Sequence, residues 1–315
     1  MAQVFRGVSQ VPAALGPTVV TIGNFDGAHR GHQAILRAAR AKAQALGVSC
    51  AVFTFRPHPQ HVLRPASAPP LLLTYDEKLA ALSAFGADLI VEEPFSREFS
   101  LKSAEDFFEN TLKRVLKARA VVVGYDFAFG RERQGSLDRL REWCRQAGIE
   151  VEVVAPIEID QRAVSSSRIR SLYLSGDIEA ANALMGRPFG YQGPVVHGDA
   201  RGRQLGFPTA NVKPQDLKLT LPFGVYATWV WVDGQEYPGA TNFGIRPMFE
   251  TAVPLIEAHL LGFSGDLYGK NLDIRFVKRL REEQKFETVE ALKAQIVRDC
   301  AEAATVLRNS QTFGA

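Results

Sequence analysis

The chain has 315 residues, a formal net charge of +3 and three cysteines. That length is too great for one small core and comfortable for two domains, and so slight a positive excess indicates no dominant nucleic-acid-binding field, although a local basic patch could still face phosphates. Cys50, Cys144 and Cys300 lie far apart and form no CxxC, so neither a disulfide framework nor a thiolate zinc site is suggested, and a reducing cytoplasm fits best. No apolar stretch approaches the ~20 residues needed to span a bilayer, and MAQVFRGVSQVPAAL lacks a signal-peptide layout, so a soluble, unexported protein with no membrane partner is expected.

In chain order, PTVVTIG reads as a buried strand and QAILRAARAKAQALG as a helix closed by Gly47. SCAVFTF is a second strand, YDEKLAALSAFG a helix, ADLIVEE a strand, SAEDFFENTLKRVLK a helix capped by Ser103, and AVVVGYDF a further strand. SLDRLREWCRQAG and VEVVAPI continue the alternation. Repetition of this kind predicts a doubly wound α/β domain with ligands at the C-terminal strand ends. After residue 185 the texture changes: GRPFGYQGPVVHGDARGRQLGFPTANV is glycine-rich and without helical period, and YATWVWVDGQEYPGATNF holds an Asp233-Gly234 hairpin turn. LIEAHLLGF and NLDIRFVKRL read as strands and TVEALKAQIVRDCAEAATVLRN as a closing helix. A small antiparallel β-barrel with a C-terminal helix is predicted, giving domains 1–185 and 186–315.

The stretch TIGNFDGAHRGH stands where the first strand meets the first helix. Gly23 lets the chain leave the strand tightly, while Gly27 and Gly31 keep side chains away from whatever approaches the backbone. The helix start near Arg30 aims free N–H groups and partial positive charge at the same place, which suits an anion. His29 and His32, three apart, can share a face and donate to phosphate oxygens. The competing readings are a helix-capping pair and, with His58 and His61 of TFRPHPQHV, a four-histidine zinc site. In SSSRIRSLYLSGD, Ser165 to Ser167 supply hydroxyls and an N-cap, and Arg168 and Arg170 supply cations. In LIEAHLLGF, strand alternation puts Glu257 and His259 on one face and Ile256, Ala258 and Leu260 on the other. GDLYGKN fails as a P-loop: it is one residue short between the glycines and has Asn271 after the lysine.

GNFDGAHRGH resembles the signature of the HxGH nucleotidyltransferases, and SSSRIR resembles their second element, with Ser167 where threonine is usual. TFRPHP and VGYDFAFGRERQG resemble the bacterial FAD synthetases, which join a riboflavin kinase to an FMN adenylyltransferase. GRQLGFPTANV, GVYAT, TNFGIRP and IEAHLLGF follow in that family's order, so the resemblance covers essentially the whole chain. It implies a nucleotidyltransferase α/β domain followed by a riboflavin-kinase barrel, with Mg²⁺ beside ATP and with riboflavin, FMN and FAD as substrates and products.

For adenylyl transfer the resemblance implies catalysis by His29, His32 and Arg170, and ATP contacts from Gly23, Phe25, Asp26, Gly31, Ser166 and Ser167. It implies flavin contacts from His58, Gly124, Asp126, Phe127 and Phe129, although two phenylalanines beside a strand equally suit a core. For the kinase it implies Glu257 as catalytic carboxylate, Thr209 and Asn211 at the metal, and Gly202, Gly206 and Pro208 near ATP, with Arg203 between the glycines. No nucleic acid and no obligate protein partner are expected. The competing functions are a nucleotidyltransferase for another small substrate, a catalytically silent flavin-binding module, and a metal-storage protein.

Overall fold

The computed structural model describes residues 2–197, 202, 205–248 and 251–309, without the side chains of 246–248 and 251–253; Arg203 lies outside the described residues. The chain divides into two compact units, Met1–Ser166 and Ser167–Ala315.

In the first unit, β1 (Gln3–Phe5), β2 (Thr18–Ile22), β3 (Ser49–Arg56), β4 (Leu89–Pro94), β5 (Ala118–Gly124) and β6 (Glu150–Val154) form a sheet in the order β1-β4-β3-β2-β5-β6. Every neighbouring pair is parallel. Successive residues of each strand feed opposite faces, so Val20, Ile22, Val121 and Val123 pack with Phe108, Leu112 and Leu140 on one side. On the other side Val19 and Val122 meet Ala39 and Ala43, and Val52 and Ile90 meet Leu36 and Leu82. A parallel sheet buried on both faces needs such continuous apolar strands, which is the predicted doubly wound pattern. The chain runs from β2 outward through β3 to β4, then returns to the far side of β2 for β5 and β6. That reversal puts the carboxyl ends of β2 and β5 at the switch point, where such sheets bind ligands.

The helix Arg30–Leu46 closes on Gly47 (φ 65°), as predicted. The helix predicted after Ser103 differs in winding. Ser103 Oγ accepts from Asp106 N at 3.0 Å, but after Ala104–Asp106 the coil widens to a π-helix over Phe107–Val115. The wider turn keeps Phe107, Phe108, Thr111 and Leu112 on the core side. The hairpin of β7 (Glu158–Ile159) and β8 (Arg162–Ala163) has no counterpart in the sequence reading.

The second unit holds the helices Ser166–Ser175, which starts on the last residue of the first unit, and Ile178–Met185. Then follow β9 (Phe189–Pro194), β10 (Ala210–Val212), β11 (Gly224–Val232), β12 (Gln235–Met248), β13 (Thr251–Leu260) and β14 (Asn271–Glu282). These strands are antiparallel in the order β10-β13-β12-β11-β14-β9. The two edges meet where Val196 N donates to Asn211 O at 2.8 Å, so the sheet closes into the predicted barrel. Tyr191, Tyr226, Phe243 and Phe276 fill it. Asp233 (φ 51°) and Gly234 (φ 77°) make the β11–β12 turn, the left-handed pair a tight hairpin requires. GDLYGKN is the turn between β13 and β14. The helix Val289–Asn309 covers the barrel, with Ala303 and Leu307 against Ala227, Ala240 and Val277.

Candidate active sites

From Ile22 the chain turns into the helix Arg30–Leu46 through Phe25, Gly27 and Ala28, all with positive φ. Gly23 lets the Phe25 ring pack close, since a Cβ there would lie 3.2 Å from it, tighter than most such contacts. The carboxylate of buried Asp26 accepts from Leu72 N (3.0 Å) and Leu73 N (3.3 Å), and its carbonyl accepts from Ser166 Oγ at 2.9 Å. Gln33 Nε2 donates to Ala28 O at 2.9 Å. Asp26 therefore orients the turn through its own side chain. Phe25 is buried beneath it, its ring edge-on to the His32 ring with centroids 5.3 Å apart.

His29 is the N-cap of the helix, with Nδ1 accepting from His32 N at 3.4 Å. The two imidazoles stack at 3.6 Å, so they share a face. Gly31 leaves room for them, since a Cβ would lie 3.2 Å from the His29 ring. Capping and anion binding are compatible here, because the cap engages Nδ1 and the opposite edge carries Nε2. His58 and His61 have other local duties: His58 Nδ1 accepts from Gln60 N (3.2 Å), and His61 Nε2 lies 2.9 Å from Pro69 O. Among the described residues no three His, Cys, Asp or Glu side chains converge as a metal set. Ser167 and buried Arg170 lie on the helix Ser166–Ser175, in the second unit.

The loop after β5 separates its two phenylalanines. Phe129 is buried against Phe107 and Trp143, whereas half-buried Phe127 stacks on it at 5.3 Å. Phe129 thus serves the core and Phe127 offers surface. Phe127 N donates to Gly124 O (3.2 Å), and Arg133 Nη2 donates to Asp126 O (3.3 Å), which shapes the loop.

In the second unit a cross-strand row assembles the polar groups. Asn211 on β10 and Asn242 on β12 are both register partners of Glu257 on β13. Asn242 Nδ2 lies 3.5 Å from Glu257 Oε2 and donates to it. Glu257 and His259 are half-buried while Ile256, Ala258 and Leu260 are buried, as the alternation predicts. His259 Nδ1 lies 2.8 Å from Pro208 O, an N–H donating to a carbonyl, which pins the segment before Thr209. Gly202 packs so closely that a Cβ would meet Phe207 O at 2.5 Å and Thr209 Oγ1 at 3.2 Å. Gly206 has φ 90°.

Two cavities meet at this row. One, of about 410 Å³, is lined by Phe207, Asn242, Phe286, Leu292 and Ile296. The other, of about 630 Å³, is lined by Pro208, Asn211, Phe263, Asp266 and Tyr268. Gly202, Thr209 and Glu257 line both. Asn211 Oδ1 is buried and has no hydrogen-bond partner among the described residues. A buried amide oxygen without a donor is costly, and a hard cation beside a phosphate chain would satisfy it.

Sequence reasoning missed Asn242, the 263–268 turn and the ion pair of Arg281 with buried Asp299 (2.7 Å), which lines the smaller cavity. Asn242 had a signal in TNFGIRP; GDLYGKN reads from sequence as a turn between barrel strands, which it is, but not as part of a site.

The FAD synthetase family model matches residues 11–168 and the riboflavin kinase model residues 185–307. A bifunctional riboflavin kinase/FMN adenylyltransferase of Pseudomonas fluorescens is 39% identical, covering 96% of each chain. Its namesake in Bacillus subtilis (strain 168) is 35% identical over 93% of each. A crystal structure described as a macrolide-efflux protein from Streptococcus pneumoniae superposes with TM-score 0.88 at 30% identity, covering 98% of this chain and 99% of that one. Among the described residues no helix is long and apolar enough to cross a membrane.

Proposed function

The chain belongs to the bifunctional riboflavin kinase/FMN adenylyltransferase family, and from that premise we propose which residues carry each reaction. Riboflavin and ATP give FMN and ADP; FMN and a second ATP give FAD and pyrophosphate. Both steps use ATP with a divalent metal, which we take to be Mg²⁺.

The observation that carries the kinase assignment is that Thr209 and Glu257 line both cavities. Riboflavin occupies the smaller, with its 5′-hydroxyl toward the seam, and ATP occupies the larger. Glu257 accepts the hydroxyl proton as the oxygen attacks the γ-phosphorus and the bond to the β,γ-bridging oxygen breaks. Thr209 Oγ1 and Asn211 Oδ1 hold Mg²⁺, which neutralises phosphate charge; neutral ligands suffice because the nucleotide is anionic. Gly202, Gly206 and Pro208 keep the backbone close to the phosphates.

In adenylyl transfer an FMN phosphate oxygen attacks the α-phosphorus of ATP and pyrophosphate leaves. No covalent intermediate on the protein is required, so alignment and charge neutralisation suffice. His29 and His32 donate from their Nε2 edges, Arg170 neutralises the triphosphate, and Ser166 and Ser167 close the site. Phe127, His58, Gly124 and Asp126 hold the flavin end, with Phe129 behind them.

We retain 1–185 and 186–315 as the functional domains, supported by the second family match beginning at residue 185. The three free cysteines support a cytoplasmic enzyme. Purified protein given riboflavin, ATP and Mg²⁺ should yield FMN and then FAD by chromatography; absence of both products would sink the reading.

A further inference from the structure

Behind the turn that presents His29 and His32 lies a buried charge cluster that neither proposed reaction uses. Lys78, on the helix Tyr75–Ala84, is 5% exposed. Its Nζ donates to Phe55 O at 2.7 Å and to Thr54 Oγ1 at 3.2 Å, and the Thr54 hydroxyl donates onward to Asn24 O at 3.2 Å. One continuous chain thus runs from a helix, across the end of β3, to the middle of the nucleotide turn. The branch through Phe55 fixes β3 three residues before His58.

The charges around the ammonium come from every packed element. Glu92 of β4, 1% exposed, places Oε1 at 3.9 Å. Arg6, just after β1, is bonded to the same carboxylate, and Arg56 at the end of β3 lies 3.9 Å from it. The Tyr75 ring, one turn earlier on the same helix, faces Nζ at 5.3 Å and the Arg56 guanidinium at 4.8 Å. Asp26 contributes attraction from the turn itself.

We propose that Lys78 is a positioning residue for adenylyl transfer: through Thr54 and Asn24 its ammonium holds the turn that carries His29 and His32 in reactive register. The inference rests on assigning adenylyl transfer to that turn. Burial pushes the Lys78 ammonium down to about 8, with Asp26 opposing and Arg56 and Arg6 adding to the fall. As pH rises through that value the charge is lost. The neutral amine keeps two N–H groups but makes weaker bonds, since charge-assisted bonds are about twice as strong as neutral ones.

Because the barrel supplies a second activity, each preparation carries its own control. FMN adenylylation and riboflavin phosphorylation are to be measured on the full chain from pH 6.5 to 9.5 for wild type, Lys78→Met, Lys78→Arg and Thr54→Val. The wild-type kcat for FAD formation should fall above pH about 8 while phosphorylation shows no fall with that midpoint. Lys78→Met should lower adenylylation kcat about 10²-fold, the cost of misplacing a reacting group by about an ångström, and leave phosphorylation unchanged. Lys78→Arg keeps the charge and should recover at least a tenth of the activity and lose the alkaline fall. Thr54→Val cuts only the relay and should cost about tenfold in kcat, close to one lost charge-assisted bond. A folded Lys78→Met enzyme with full adenylylation, or an alkaline fall unchanged in Lys78→Arg, overturns the proposal. Should Lys78→Met fail to fold, a Thr54→Val enzyme with wild-type adenylylation overturns it instead. A wild type that makes FMN but no FAD would remove the assignment on which the inference rests, which is a separate result.

Discussion

Asn211 on β10 and Glu257 on β13 are register partners on adjacent strands, so the backbones that carry a buried amide oxygen and a carboxylate run about one strand spacing apart, ~4.8 Å. Asn242 flanks the carboxylate from the opposite strand. The separation between the proposed base and the proposed metal ligand is therefore a property of the sheet, and each can be altered without the other.

Glu257→Gln keeps the shape of that row and removes the proton acceptor. FMN formation should fall about 10³-fold, within the usual range for a lost general base, while FMN-to-FAD conversion continues. Chromatography of both reactions on one preparation checks this, and loss of both in a protein with a wild-type melting curve contradicts separate sites.

Asn211→Ala should act on the metal rather than on proton transfer. The Mg²⁺ concentration for half-maximal riboflavin phosphorylation should rise about tenfold, the worth of ~1.4 kcal/mol, and the metal requirement of FAD formation should stay where it was. A metal titration of each activity measures it.

His29 both caps a helix and faces the proposed phosphate site, and two substitutions separate those duties. Asparagine is a good N-cap, so His29→Asn should melt near wild type, whereas His29→Ala should lose about 1 kcal/mol. Both should lose about 10²-fold in FAD formation if the imidazole itself donates to phosphate. Activity retained in His29→Asn would leave this histidine as a cap alone.

The Arg281–Asp299 pair carries stability in the second unit. Asp299 is 4% exposed and accepts from Arg281 Nε, Arg281 Nη2 and Gln295 Nε2. Asp299→Ala strands a largely buried guanidinium, so the barrel should lose about 3 kcal/mol, read as a lower urea midpoint of the transition that abolishes riboflavin phosphorylation.

What was legible in the sequence was local. The apolar runs of β2 to β5, Gly47 and Ser103 as helix ends, the Asp233-Gly234 turn and the two-faced alternation at Glu257 all follow from residues within a few positions of each other. So did the convergence of glycines and histidines on one helix start. The resemblance then gave that start its chemistry, and matched families over both halves support it.

Tertiary structure decided what register and packing alone can decide. It engaged the Asp26 carboxylate with Leu72 and Leu73 amides 46 and 47 residues away. It buried Phe129 while leaving Phe127 half-exposed, and widened the coil after Asp106 so that Phe107, Phe108, Thr111 and Leu112 face the core. Asn242 reached Glu257 because β12 and β13 pair with these two residues in register. Lys78, Thr54 and Asn24 are spread over 54 positions, and no periodicity links them. Turns, caps and alternation are set by neighbouring residues; a relay across three elements exists only once the sheet has chosen its strand order.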